Sequence, residues 1–264
     1  MNSDIFLQEK DTAVICAIAK HEGPYIDEWI EYHQKIGFDH IYLYDNEDGV
    51  PLRILPNKYP NFVTVIAYPG QCQQMNAYYH FLSKFRMKHR WVAYIDIDEF
   101  IVLKKHLYIK ELLIQHCTEG ALALNWVLFG SNHKDFYEPL PVTQRFTKRQ
   151  LGVNEHVKWI VCTNDIDVMV SPHHGMLRFG LARDCHGNQV RGPYNPSGTD
   201  DIACIHHYFT KSKQEFTFKC MRGRADIPEF RTFEKDFNRH DFNEIEDTTA
   251  WNILLGKTGI ERKN

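Results

Sequence analysis

Apolar residues run unbroken from Ala13 to Ala19, a length and composition that suit a strand buried on both faces. A helix-period segment follows over residues 24–36. Ile26, Trp29, Ile30 and Ile36 keep the helical spacing, while Asp27, Glu28, Glu31 and Gln34 mark the wet face. Pro24 stands in its first turn and Gly37 stops it. Residues 40–44 predict a second strand that runs into the turn-rich Asp45-Asn46-Glu47-Asp48-Gly49. Residues 61–68 predict a third strand and 74–89 a second helix, and a fourth apolar strand begins at Trp91. This strand–helix alternation predicts an α/β fold, a mostly parallel sheet flanked by helices. Ligands of such sheets bind beyond the carboxyl ends of the strands. Three of the four strands end in polar or acidic residues there, at Lys20-His21-Glu22, Asp45-Asn46-Glu47 and Asp96-Ile97-Asp98.

The second half is less regular. Residues 121–129, 158–162 and 167–170 read as strands, and 191–198 as a loop long enough to close over a site. Residues 202–208 form a short strand ending in His206 and His207, and 213–224 a helix. With no repeats, low-complexity tracts or linker-like stretch, residues 1–264 read as a single domain.

The fourth strand, Trp91-Val92-Ala93-Tyr94-Ile95, runs directly into Asp96-Ile97-Asp98-Glu99. In extended chain, Asp96 and Asp98 leave from the same face. Two carboxylates there resist burial and repel one another unless a divalent cation joins them. Oxygen donors favour Mg²⁺ or Mn²⁺ over zinc, although an Asp-x-Asp alone is a weak motif. His206 and His207 close a strand with Lys211 and Lys213 just beyond, and imidazole suits Mn²⁺ as a further ligand. His173 and His174 form a second pair, equally suited to a core or a substrate contact. Asp45 is either turn chemistry or an acceptor for a base or ribose.

Composition narrows the function classes. The chain has 264 residues, 43% apolar and 25% charged, which is ordinary for a globular protein. A net charge of −3 argues against a general nucleic-acid binder. The seven cysteines are scattered and never form C-x-x-C, so free thiols in a reducing compartment are expected. There is neither a signal peptide nor an apolar run approaching the ~18 residues of a membrane span. A cytoplasmic protein is expected, with any contact to the inner membrane peripheral.

Several blocks, in order, resemble glycosyltransferase family 92 and its bacterial family-2-like relatives of the GT-A type. They are Lys20 to Trp29 with Tyr32-His33; Gly37-Phe38-Asp39-His40 and Tyr44-Asp45-Asn46; Gln74 with Ala77-Tyr78; and Trp91 to Phe100. Trp126, Phe129-Gly130-Ser131, Arg145-Phe146-Thr147 and Lys158 follow, then His207-Tyr208-Phe209-Thr210-Lys211-Ser212, Glu215-Phe216, Lys219 and Arg222-Gly223-Arg224-Ala225. The acid-tipped strand and the His-Tyr-x-x-Lys-Ser block are the most specific pieces. Two departures stand out: His21 replaces a polar Asn, and Gln144 replaces an acid that often precedes Arg-Phe.

The resemblance implies a GT-A-like fold with a nucleotide-sugar half over about 12–105 and an acceptor half over about 106–240. It implies a metal-dependent, inverting transfer of a sugar, often galactose, from a UDP-sugar donor to a glycan acceptor. Asp45 would meet the base and Asp96 the ribose, with Glu22 as a further donor-binding candidate. Asp98 and His207 would ligate Mn²⁺ or Mg²⁺, with Asp96 beside them, and Lys211 would face the phosphates. Inversion needs a carboxylate base, for which Asp165 and Glu155 are the first candidates and Asp167 and Asp135 the next. Animal and plant members carry a membrane anchor not seen here, so a bacterial enzyme building lipopolysaccharide or surface polysaccharide is expected. The alternatives are a metal-dependent nucleotidyltransferase, which would need an early glycine-rich or basic loop, and a non-catalytic nucleotide- or carbohydrate-binding module.

Overall fold

The apolar run at Ala13–Ala19 folds as strand β1, and both its faces are covered. Ala13, Ile15, Ala17 and Ala19 enter one layer of core, and Val14, Cys16 and Ile18 the other, which is why the run shows no polar alternation. The computed structural model describes residues 11–47 and 51–258; Asp48 and Gly49 of the predicted turn lie outside them. Helix α1 (Gly23–Lys35) lays Ile26, Trp29 and Ile30 on the first layer. Just past its end, Gly37 takes a φ of +90°, a left-handed geometry that favours glycine. Strands β2 (His40–Asp45) and β3 (Val63–Ala67) follow. Helix α2 (Gln74–Phe85) covers the other face with Ala77, Tyr78, Phe81 and Leu82.

Strand β4 (Trp91–Tyr94) is followed by a sharp turn rather than a continuing extended chain. Glu99 N donates to Asp96 O at 3.1 Å, and the chain re-enters the sheet as β5 (Glu99–Leu103). Neither β5 nor the next helix, α3 (Ile109–His116), was legible in the pattern. The frame continues with β6 (Ala121–Leu128), β7 (Val157–Cys162), β8 (Ala203–His207), α4 (Lys213–Arg222) and α5 (Thr249–Leu254). The strand expected near 167–170 is Ile166–Met169, which pairs with Gly175–Leu177 in a separate hairpin.

Among the described residues, nine strands form one sheet. Its order is β3-β2-β1-β4-β7-β6-β8-β5, with the two-residue Ala182–Arg183 beside β6. The pairs β1–β2, β2–β3, β1–β4 and β6–β8 are parallel, so the sheet is mostly parallel and helices flank it, as the alternation predicts. Strand β7 runs against both β4 and β6. Two reversals restore direction, so β6 and β8 point the same way as β1, β2 and β4. The carboxyl ends of these five strands, together with the start of β7, therefore share one edge. No helix among the described residues is long and apolar enough to cross a membrane. All seven cysteines are free and five of them are buried.

Helix α4 is fixed to this edge by a buried ion pair. Arg145 donates twice to Glu215, at 2.9 Å each, with side-chain exposures of only 1% and 4%. Tyr25 on α1 donates to Glu215 at 2.9 Å, and Ser212, the N-cap of α4, at 2.5 Å. Burial works to raise the Glu215 carboxyl, but Arg145 and Ser212 outweigh it and hold it below its ordinary range. Removing one member of such a pair leaves a buried charge uncompensated. Arg145→Met is therefore expected to lose about 3–5 kcal/mol in urea unfolding, and a loss below about 1 kcal/mol would contradict the role given to this pair.

Candidate active site

The shared edge opens into a cavity of about 600 Å³. The β4–β5 turn supplies Asp96 and Asp98, β6 supplies Trp126, the approach to β7 supplies Glu155 and His156, β8 supplies His207 and α4 supplies Lys219. Sequence-distant acids and histidines thus meet because their strands end, or begin, on the same side of the sheet.

The two aspartates do not share a face. The chain turns between them, and this corrects the expectation drawn from extended geometry. Asp96 accepts from Gln74 Nε2 at 2.7 Å and from Lys158 Nζ at 2.9 Å, using one carboxylate oxygen for each. Lys158 is 1% exposed and also lies 3.4 Å from Glu99 Oε2. Burial disfavours its ammonium, but Asp96 and Glu99 more than offset that and raise it. Glu99 is fully buried, and its Oε1 has no partner. Burial lifts it to about 8, Lys158 opposing and Asp96 and Asp98 assisting.

Asp98 borders the same cavity with different partners. Its Oδ2 is 2.6 Å from Lys219 Nζ and 3.6 Å from His207 Nε2. Burial works against its ionised form, but Lys219 and His207 hold it well below the ordinary carboxylate range. Burial works to lower Lys219, and Asp98, 2.6 Å away, opposes the fall. Lys219 also donates to Phe209 O at 2.8 Å and lies 4.0 Å from the Phe209 ring centroid. Burial lowers His207 to about 4, so its imidazole is neutral, and its Nδ1 is buried without a hydrogen-bond partner. Among the described residues no three His, Cys, Asp or Glu side chains converge as a metal cluster; Asp98 and His207 form a pair.

The other predicted residues scatter. Glu22 borders the cavity, with one oxygen paired to Arg222 and the other buried without a partner. Asp45 is 2% exposed and accepts Glu47 N at 3.0 Å, which is turn chemistry, and it does not line the cavity. Lys211 lines a neighbouring cavity of about 410 Å³, separated from the first by Lys219 and Arg222, where its ammonium lies 4.5 Å from the Tyr25 ring centroid. Glu155 lines the main cavity. Asp165 follows the end of β7 at the opposite edge and accepts Gly120 N at 2.8 Å. Asp135 and Asp167 pair with Lys213 and Arg178 on exposed surface.

Trp126 forms one wall, stacked on His156 at 5.0 Å and 22°, with His207 at 4.3 Å and His173 at 5.0 Å. His174 instead meets Ser171. The 191–198 loop is tied down rather than poised over the cavity. Asn195 N donates to Glu155 O at 2.7 Å, and a Cβ on Gly198 would lie 1.9 Å from Asn125 Oδ1. The last residue of α4 and the segment after it reach the cavity instead. Arg222 donates to Lys20 O at 2.9 Å, and Ala225 O accepts Gln74 N at 3.0 Å. Pattern reading assigned no role to Lys158 or Lys219, though both left a signal. Lys158 is the one charge in the apolar run of β7, and Lys219 follows Phe216 by three on the buried face of α4.

An α/β sheet with acids and a histidine converging at its carboxyl edge has its side chains where ligands of such sheets bind. The sequence profile of Glycosyltransferase family 92 matches residues 24–171, over half the chain, and the chain belongs to that family. A family 92 protein of Oryza sativa subsp. japonica is 27% identical over 176 residues, covering 63% of this chain and 30% of that protein. One of Arabidopsis thaliana is 23% identical over 232 residues, covering 82% and 38%. The chain thus spans about a third of the length of these relatives. Distant likenesses to solved structures include Staphylococcus aureus TarS (residues 1–349) at 15% identity and TM-score 0.37, covering 59% of this chain and 49% of that one. Another is the CTP:phosphocholine cytidylyltransferase of Streptococcus pneumoniae at 12% identity and TM-score 0.30, covering 58% and 68%. Likenesses this distant carry no functional weight.

The Glu99 environment has a measurable consequence. Folding raises this carboxyl from 4.5 to about 8, so the native state keeps a proton that the unfolded chain releases. The stabilisation is complete below the unfolded value and is lost as pH rises toward the folded one. Wild-type stability is expected to fall between pH 5 and 8 by up to about 1.4 kcal/mol per unit relative to Glu99→Gln. Parallel pH profiles of the two proteins in urea unfolding would contradict it.

Proposed function

We propose that this chain is a metal-dependent glycosyltransferase that uses a UDP-sugar donor and inverts the anomeric carbon. The observation that carries the reading is the meeting of Asp98 with His207. A buried carboxylate and a buried neutral imidazole face each other at 3.6 Å, with the imidazole otherwise unpartnered. That donor set fits a small hard cation such as Mn²⁺ or Mg²⁺, which keeps its other positions for water and phosphate oxygens. Asp98 and His207 would hold it. Bound there, the cation would neutralise charge developing on the departing diphosphate.

The remaining work falls to the chain. Asp96, oriented by Gln74 and Lys158, accepts hydrogen bonds from the ribose. Lys219 and Arg222, which border the same cavity, place positive charge beside the diphosphate, where preorganised charge lowers the barrier most. Glu155, one of the acids bordering the cavity, deprotonates the acceptor hydroxyl of a glycan lodged against Trp126 and His156. Asp165, on the opposite edge, takes no part. A nucleotidyltransferase would need a glycine-rich phosphate loop, and among the described residues the only glycine bordering the cavity is Gly223.

The test is a donor screen that reads UDP or GDP release across common nucleotide sugars, UDP-galactose first, followed by variants on the active donor. Asp98→Asn is expected to lose at least about 100-fold in transfer, together with the enhancement of UDP binding by Mn²⁺ in calorimetry. Glu155→Gln is expected to slow turnover by about 10²–10⁴-fold with donor binding retained. Normal turnover in Asp98→Asn at saturating donor and metal would overturn the metal site, and normal turnover in Glu155→Gln would overturn the base.

A further inference from the structure

The oxygen of Asp98 that faces His207 already carries a cation. Lys219 Nζ lies 2.6 Å from Asp98 Oδ2, the same atom that His207 Nε2 faces at 3.6 Å. Both side chains are 8% exposed, so little water can share the contact. The ammonium is anchored on its other side by Phe209 O at 2.8 Å and the Phe209 ring at 4.0 Å. A divalent cation cannot take Asp98 Oδ2 while an ammonium occupies it, because like charges at that separation repel strongly in a buried site. Moving Lys219 away alone would leave it buried without its anion, which is costly. It can leave only for another anion. The same cavity borders Lys219 and would receive the donor diphosphate, which supplies that anion.

We propose that Lys219 makes metal and nucleotide binding mutually dependent: it holds Asp98 in the free protein and passes to the diphosphate as the metal takes its place. Lys219 thus keeps the metal from occupying Asp98 before the donor arrives. This rests on the reading of Asp98 and His207 as the metal pair. By linkage, Mn²⁺ strengthens UDP binding by the factor by which UDP strengthens Mn²⁺ binding.

The test measures Mn²⁺ binding by electron paramagnetic resonance, with and without saturating UDP, in the wild-type chain and in Lys219→Gln. Wild type is expected to bind Mn²⁺ at least about 10-fold more tightly with UDP than without. Lys219→Gln is expected to bind Mn²⁺ alone at least about 10-fold more tightly than wild type, with the UDP effect reduced below about 3-fold. Equal Mn²⁺ affinities of variant and wild type without UDP, with coupling intact, would overturn the role of Lys219 while leaving the metal pair standing. No Mn²⁺ binding to wild type even with UDP would overturn the metal pair and this inference together. Should Lys219→Gln not fold, the wild-type measurement still decides: Mn²⁺ affinity unchanged by UDP overturns the inference.

Discussion

A carboxylate at the end of a strand buried on both faces must be compensated, and this chain meets that constraint with two buried lysines. The β4–β5 turn carries three acids. Lys158, reaching from β7, serves Asp96 and Glu99, and Lys219, reaching from α4, serves Asp98. Each pairing reaches across the fold: 62 residues separate Asp96 from Lys158, and 121 separate Asp98 from Lys219. The acids therefore fix where β7 and α4 sit as firmly as those elements fix the acids. Losing Lys219 would strand the buried charge of Asp98, the most costly kind of defect in such a network.

The same constraint separates the tasks of the two aspartates. Asp96 is turned toward Gln74 at the start of α2, and Asp98 toward His207 at the end of β8. A turn of one residue between them creates two environments, one with a hydrogen bond to each carboxylate oxygen and one beside an imidazole whose Nδ1 has no partner. This asymmetry supports a nucleoside on one side and a metal-bound diphosphate on the other. The aromatic wall and Glu155 border the same cavity.

Much of this was legible in the chain, and the misses have physical causes. The unbroken run at Ala13–Ala19 could only be a strand covered twice, and the periodicity of Ile26, Trp29 and Ile30 could only be an amphipathic helix. The convergence of strand ends was also readable, since parallel strands align their ends. Strand direction in the second half was not. Glu155 precedes β7 and Asp165 follows it, and both looked equally suited to be a base. The antiparallel setting of β7 brings its start to the site and sends its end away. The turn inside Asp96–Glu99 was hidden as well, because apolar residues continue on both sides of it and only the pairing of Glu99 with His207 reveals the new strand.

The central claim is that the donor diphosphate and its metal meet the chain between Asp98 and His207. A crystal structure with UDP and Mn²⁺, using the anomalous signal of manganese, tests it most directly. The expected result is a manganese peak in contact with Asp98 and His207, the ribose at Asp96, and Lys219 moved onto the diphosphate. Bound UDP lying away from Asp96 and Asp98, or clear UDP density with no manganese between Asp98 and His207, would contradict it.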